Sequence, residues 1–201
     1  MKSRYSALIL IGIMIAIFII QNFSEGFTDY FVLESADIYS RPWILLTSIF
    51  LHGSLIHLLS NMFALGLFGM ILENITGTKK FLIIFLISGI AASFAASFFY
   101  EAALGASGAI FGVLGALAAM RPKMTVWTYG APMPMFVAAA FWLLLDIGGV
   151  FYPSSVANIA HIAGLAAGIA FGLKLREKTS AKKEEKPLSK EEIDSWEKEW
   201  M

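Results

Sequence analysis

The chain contains no cysteine, and only 15% of its residues are charged. Without thiols it builds neither disulfides nor thiolate metal sites, and a cysteine nucleophile is excluded. Scarce charge excludes an ordinary soluble domain, in which about a quarter of residues are Asp, Glu, Lys or Arg. Also missing are a phosphate-binding glycine-rich loop, an internal repeat and a His-Glu-x-x-His pattern. His52 and His57 are five residues apart, off a common helical face, so no metal and no cofactor is expected. The formal net charge is zero, and no nucleic-acid partner is expected.

What is present is apolar: 58% of the residues are hydrophobic and 14% aromatic. The lipid bilayer is the expected solvent. Six apolar helices are placed at roughly residues 6–21, 54–72, 81–100, 107–120, 132–150 and 156–175, each apolar on most faces as lipid-embedded helices are. The expected fold is all-α, a polytopic membrane protein. It divides into a six-helix transmembrane domain (1–175) and a charged cytoplasmic tail (176–201).

Lys and Arg collect on the cytoplasmic side of membrane proteins. Lys2 and Arg4 precede helix 1, Lys79 and Lys80 lie between helices 2 and 3, Arg121 and Lys123 lie between helices 4 and 5, and Lys174 and Arg176 close helix 6. The pattern predicts both termini in the cytoplasm and insertion in the cell membrane, with Arg41 the one basic residue outside. The first apolar run, Ala7 to Ile20, resembles a signal peptide. Gln21-Asn22-Phe23-Ser24 offers no small-residue cleavage site, so it reads as a retained helix.

Two connectors are unusual. Residues 22–53 mix Glu25, Asp29, Glu34 and Asp37 with Phe23, Phe27, Tyr30, Phe31 and Trp43. The segment is too apolar for a solvated loop and too broken to span, so it is expected in the outer interface. Residues 101–106 must descend to the start of a fourth helix too short to cross, because spanning takes about 20 apolar residues. Irregular backbone at that depth survives only against protein or a wet cavity, which predicts a cavity open to the outside. In the tail, Ser189 and Glu192 have capping-box spacing. Ile193, Trp196 and Trp200 form a short stripe suited to the membrane surface or to nothing in particular.

The chemistry begins with depth. Ser107 lies 14 residues before Arg121, about 21 Å along a helix and roughly two-thirds through a hydrocarbon core of about 30 Å. His161, 13 residues before Lys174, reaches nearly the same height, about 20 Å. Gly164, Gly168 and Gly172 share the His161 face, and helix 4 offers Gly108, Gly112 and Gly115. Small residues let helix backbones approach closely, so the two ladders predict that Ser107 and His161 meet. Asn61 stands 12 residues before Glu73, about 18 Å above it, with His57 one turn outward on the same face. Asn61, His57 and the Ser107 N–H are then placed to hold an oxyanion. Taken singly, each residue has a plainer reading: a glycine packing face around Ser107, a hydrogen-bonded structural histidine, and polar side chains bonded to nearby backbone.

Taken together, these motifs resemble the rhomboid family of intramembrane serine proteases. The resemblance runs from Arg41-Pro42-Trp43 through Gly172. It is carried by His57-x-x-x-Asn61, Glu73 with Gly77, Gly105-Ala106-Ser107-Gly108-Ala109-Ile110-Phe111-Gly112 and Ala160-His161-Ile162-Ala163-Gly164-Leu165-Ala166-Ala167-Gly168. It implies a rhomboid bundle with a short buried helix 4, a membrane-embedded first loop and helix 5 as a mobile gate. It also implies Ser107 as nucleophile, His161 as general base, Asn61, His57 and the Ser107 amide as the oxyanion hole, and Phe111 packed on His161. The Trp-Arg pair of some relatives is missing from the first loop.

The reading that follows is a serine endopeptidase cutting single-span transmembrane proteins near the outer face. Helix-weakening Gly, Pro or β-branched residues in the substrate would favour cleavage. Glu101 and Asp146 are expected near the outer boundary and Glu73 at the inner one, so no third catalytic residue is expected. The alternatives are a non-catalytic relative that binds membrane helices, and a small transporter or channel. Retention of both Ser107 and His161 speaks against the first, and the absence of a polar inner route against the second.

Overall fold

The computed structural model describes residues 5–128, 130–152 and 156–184. Six apolar helices dominate it: α1 (Ser6–Phe23), α2 (Leu55–Thr76), α3 (Thr78–Ala96), α4 (Ser107–Met120), α5 (Met135–Val150) and α6 (Asn158–Glu184). Four of them, α1, α2, α3 and the Asn158–Arg176 part of α6, are long and apolar enough to cross a membrane. The shorter apolar pair is α4 and α5. The protein is an integral membrane protein built as a polytopic helical bundle.

Several boundaries differ from those expected. Only Gly77, at φ +88°, separates α2 from α3, so Lys79 and Lys80 lie in the first turn of α3 rather than in a connector. A hairpin of β3 (Thr125–Thr128) and β4 (Ala131–Pro134) precedes α5 and delays its start to Met135. Pro132 and Pro134 explain this, because proline lacks the N–H that a helix interior or a central strand needs. α6 continues without a break past residue 175 to Glu184. The expectations for Lys2, Arg4 and the Ser189, Glu192, Ile193, Trp196 and Trp200 stripe lie outside the described residues.

α4 is the axis of the bundle. It buries ten of its 14 residues, whereas α1 buries three of 18 and exposes isoleucines around its length. The difference is written in side-chain size. A Cβ on Gly108 would collide with Ala92 of α3, and one on Gly112 with Ser88 of the same helix. On the other side, a Cβ on Gly164 or Gly168 would overlap the carbonyl oxygen of Gly108 or Gly112. α4 therefore touches α6 backbone to backbone, as the paired glycine ladders require.

The C-terminal part of α2 anchors α1. Glu73 is fully buried and accepts hydrogen bonds from the Ser6 N–H (3.2 Å), the Ala7 N–H (3.1 Å) and the Thr78 hydroxyl (2.7 Å). The first N–H groups of a helix have no partner within it, so this carboxylate caps α1 from another element. Midway along α2, Leu65–Gly69 forms a single π-helical turn.

The 22–53 connector folds rather than floats. It contains short helices at Phe27–Phe31 and Ile44–Thr47, and a strand, β1 (Leu33–Glu34), paired antiparallel with β2 (Ala102–Ala103). Arg41 gathers the segment, bonding the carboxylates of Glu34 (2.9 Å) and Asp37 and the Asp29 carbonyl (2.8 Å). Tyr30 stacks on Trp43 at 5.7 Å. The descent through 101–106 is supported the same way: Ser35 N–H reaches the Glu101 carbonyl, and Gly105 N–H reaches the Ser48 carbonyl, both at 2.9 Å. Backbone that cannot be helical is thus satisfied by protein.

Candidate active site

Ser107 is the first residue of α4. Its N–H and those just after it have no intrahelical partner and carry the positive end of the helix dipole. The turn that delivers it depends on Gly105, whose φ of +127° suits glycine. A Cβ there would also stand 2.7 Å from the His57 ring. His161 sits one turn into α6, whose Ile159 N–H is capped by the Tyr100 hydroxyl at 3.1 Å. The result is short and direct: Ser107 Oγ and His161 Nε2 are 2.8 Å apart. Phe111, one turn further along α4, stacks on the imidazole at 4.3 Å with the rings 8° from parallel.

The other two expected residues line the same cavity, of about 780 Å³, with Ser107 and His161. Ser54 starts α2 by accepting the His57 N–H at 3.2 Å, which sets His57 and Asn61 on the inward face. Asn61 is buried, and its side-chain Nδ2 has no hydrogen-bond partner. An amide donor left unpaired in a buried place is costly unless something else takes its hydrogen bond. His57 stands edge-to-face with His52 at 5.1 Å. His52 is buried with both ring nitrogens unpartnered, and its backbone is clamped by the Gln21 side chain (3.0 Å to the His52 N–H). The cavity lies between the 101–106 descent and the start of α6, also touching Val32 and Ala157.

One expectation is overturned. Asp146 does not stand apart at the outer boundary: its Oδ1 lies 2.9 Å from His161 Nδ1. With α5 starting at Met135, Asp146 is only 11 residues up the helix, about 17 Å, close to the height of His161. A serine hydroxyl, an imidazole and a carboxylate therefore form one hydrogen-bonded line.

A model of the Rhomboid domain matches residues 39–178, well over half of the chain. The chain belongs to the rhomboid family. Among its relatives, Rhomboid protease GluP of Bacillus subtilis is 40% identical over 131 residues, covering 63% of this chain and 24% of that protein. RHOMBOID-like protein 6, mitochondrial, of Arabidopsis thaliana is 34% identical, covering 66% and 43%. Rhomboid protein 1, mitochondrial, of Saccharomyces cerevisiae is 29% identical, covering 81% and 51%. This rhomboid chain spans about half or less of the length of these curated relatives.

Within the rhomboid bundle, three residues beside the site were given no role in it from the sequence. Asp146 was visible as the single acid in an apolar helix, but its rotation about the helix axis was not. Tyr100, which caps α6 and lines the cavity, and Gln21, which holds His52, gave no signal beyond being polar in apolar surroundings.

Proposed function

We propose that this chain is a serine endopeptidase that hydrolyses peptide bonds of transmembrane segments within the bilayer. The observation that carries the reading is the 2.8 Å contact between Ser107 Oγ and His161 Nε2, beside the unpartnered Asn61 amide. In the proposed reaction His161 takes the hydroxyl proton as Ser107 Oγ bonds to the substrate carbonyl carbon. The Ser107 N–H, Asn61 and His57 donate to the oxyanion. The C–N bond breaks as protonated His161 gives its proton to the leaving amine. Water from the cavity then attacks the ester, His161 again taking and returning the proton, and Ser107 is restored.

The proposed substrates are single-span proteins, unwound near the outer end of the span, where helix-weakening residues lower the cost. The proposed location is the cell membrane, with the start of α1 and the end of α6 in the cytoplasm. Lys79, Lys80, Arg121, Lys123, Lys174 and Arg176 support that orientation.

Detergent-purified protein incubated with a panel of single-span substrates tests the reading, together with a fluorophosphonate probe of Ser107. Labelling of wild type but not of Ser107→Ala, with cleavage mapped to the outer third of the span, is the expected result. An unlabelled, inactive but folded wild type would point instead to a helix-binding relative without catalysis.

A further inference from the structure

The outer half of α5 has one buried residue, and it is an acid. From residue 140 to 150, every position except Asp146 is exposed or half-buried. The Asp146 side chain is 8% exposed and that of His161 11%. The second oxygen of Asp146, Oδ2, is buried with no hydrogen-bond partner. Leucine or alanine would sit here without penalty, whereas burying a carboxylate is costly even after relaxation. Among the described residues the bond to His161 is the compensation for that cost.

Phe111 leaves a gap that this bond fills. A stacked ring fixes the plane of the imidazole but is indifferent to which nitrogen carries the proton. It is equally indifferent to a half-turn that exchanges the two edges of the ring. For Nε2 to accept the Ser107 proton, the hydrogen must be on Nδ1. Only a group at the Nδ1 edge selects that tautomer.

We propose that Asp146 is a positioning residue for His161, holding the Nδ1–H tautomer and stabilising the imidazolium formed during attack. The proposal rests on the protease reading above. Asp146 accepts the Nδ1–H throughout and remains a carboxylate; the transferred proton moves only between Ser107 Oγ, His161 Nε2 and the leaving amine. Because Asp146 is on α5 and His161 on α6, the tautomer is correct only while the outer half of α5 is docked. Gly149 helps it dock, since a Cβ there would stand 2.7 Å from the Asn158 side chain.

The test is the full chain with ¹⁵N-labelled histidine in detergent. Its three histidines give few ring signals, and those of His161 are identified by their loss in His161→Gln. Wild type should show His161 as the Nδ1–H tautomer, with that proton shifted downfield. Asp146→Asn should shift the ring toward Nε2–H at an unchanged thermal midpoint. It should also lower kcat by about 10²- to 10⁴-fold while KM stays within about threefold. A wild-type His161 in the Nε2–H form overturns the proposal, whatever the variant does. So does an Asp146→Asn protein with unchanged tautomer and kcat. Failure of the protease reading looks different: wild type then neither labels at Ser107 nor cleaves, although the Nδ1–H signal is present.

Discussion

The centre of this bundle and its outer rim are held by different forces. At the centre, α4 meets α6 through glycine: a Cβ on Gly164 or Gly168 would overlap a carbonyl of the facing helix. Nothing there is charged, and fit alone decides. At the rim, single polar bonds do the holding. Asp146 ties α5 to His161, Arg41 ties the connector together through Glu34 and Asp37, and Tyr100 caps α6. Lipid tails are as apolar as leucine, so apolar side chains gain little by meeting each other there. A backbone contact resists separation by close packing over many atoms, while a polar bond is one replaceable interaction. The closely packed part therefore carries Ser107 and His161. The replaceable part surrounds the cavity beside Ser107 and His161.

The largest expected effect comes from the chemistry that the centre supports. Ser107→Ala should drop cleavage below about 1% of wild type, since losing a covalent nucleophile costs several orders of magnitude. Its thermal midpoint should stay nearly unchanged, because one hydroxyl beside a cavity leaves little void. His161→Ala should be equally inactive and the double variant no worse; losses that multiply would break the unit.

Asn61→Ala should cost about 10²- to 10³-fold in kcat if its free amide holds the oxyanion. Full activity in a folded variant would return Asn61 to a structural role. Gly168→Leu tests the packed centre itself. Displacing α6 by an ångström should cost about 10²-fold in rate and lower the melting temperature as well, unlike Ser107→Ala. Full activity at an unchanged melting temperature would end the account of the centre given above.

The smallest effect belongs to the rim. Hydrogen bonding from Arg41 holds the Asp37 carboxyl below its ordinary value of 3.8. A depressed carboxylate adds stability above that value and loses it as pH falls through the lower, folded one. Arg41→Gln should therefore melt slightly below wild type at pH 7, with the gap closing as pH drops below about 4. Added salt should narrow it too, since the pair is only half-buried. A gap that is constant from pH 7 to pH 3 would mean Arg41 acts through its bonds to the Asp29 and Tyr30 carbonyls rather than through Asp37.

Much of this was legible in order along the chain. The approach of Ser107 to His161 followed from glycines repeated on one helical face. The cavity beside Ser107 followed from α4 being too short to span. Asp146 was misjudged because counting gives height only. It says nothing of rotation about the helix axis, and a count from the expected start at 132 already puts Asp146 14 residues, about 21 Å, up the helix, level with Ser107. The Glu73 cap on α1 was hidden for a related reason, as its partners are the Ser6 and Ala7 N–H groups, more than 60 positions away.

Composition and spacing alone therefore determined the solvent, the helices and the two residues that meet, because those depend on hydrophobicity, length and periodicity within single segments. The tertiary structure decided what the imidazole touches on its other edge, which donors are left unpaired, and what caps each buried helix end. Those are matters of which side chains from distant segments converge within about 3 Å, the reach of a hydrogen bond, and no count along one helix contains that distance.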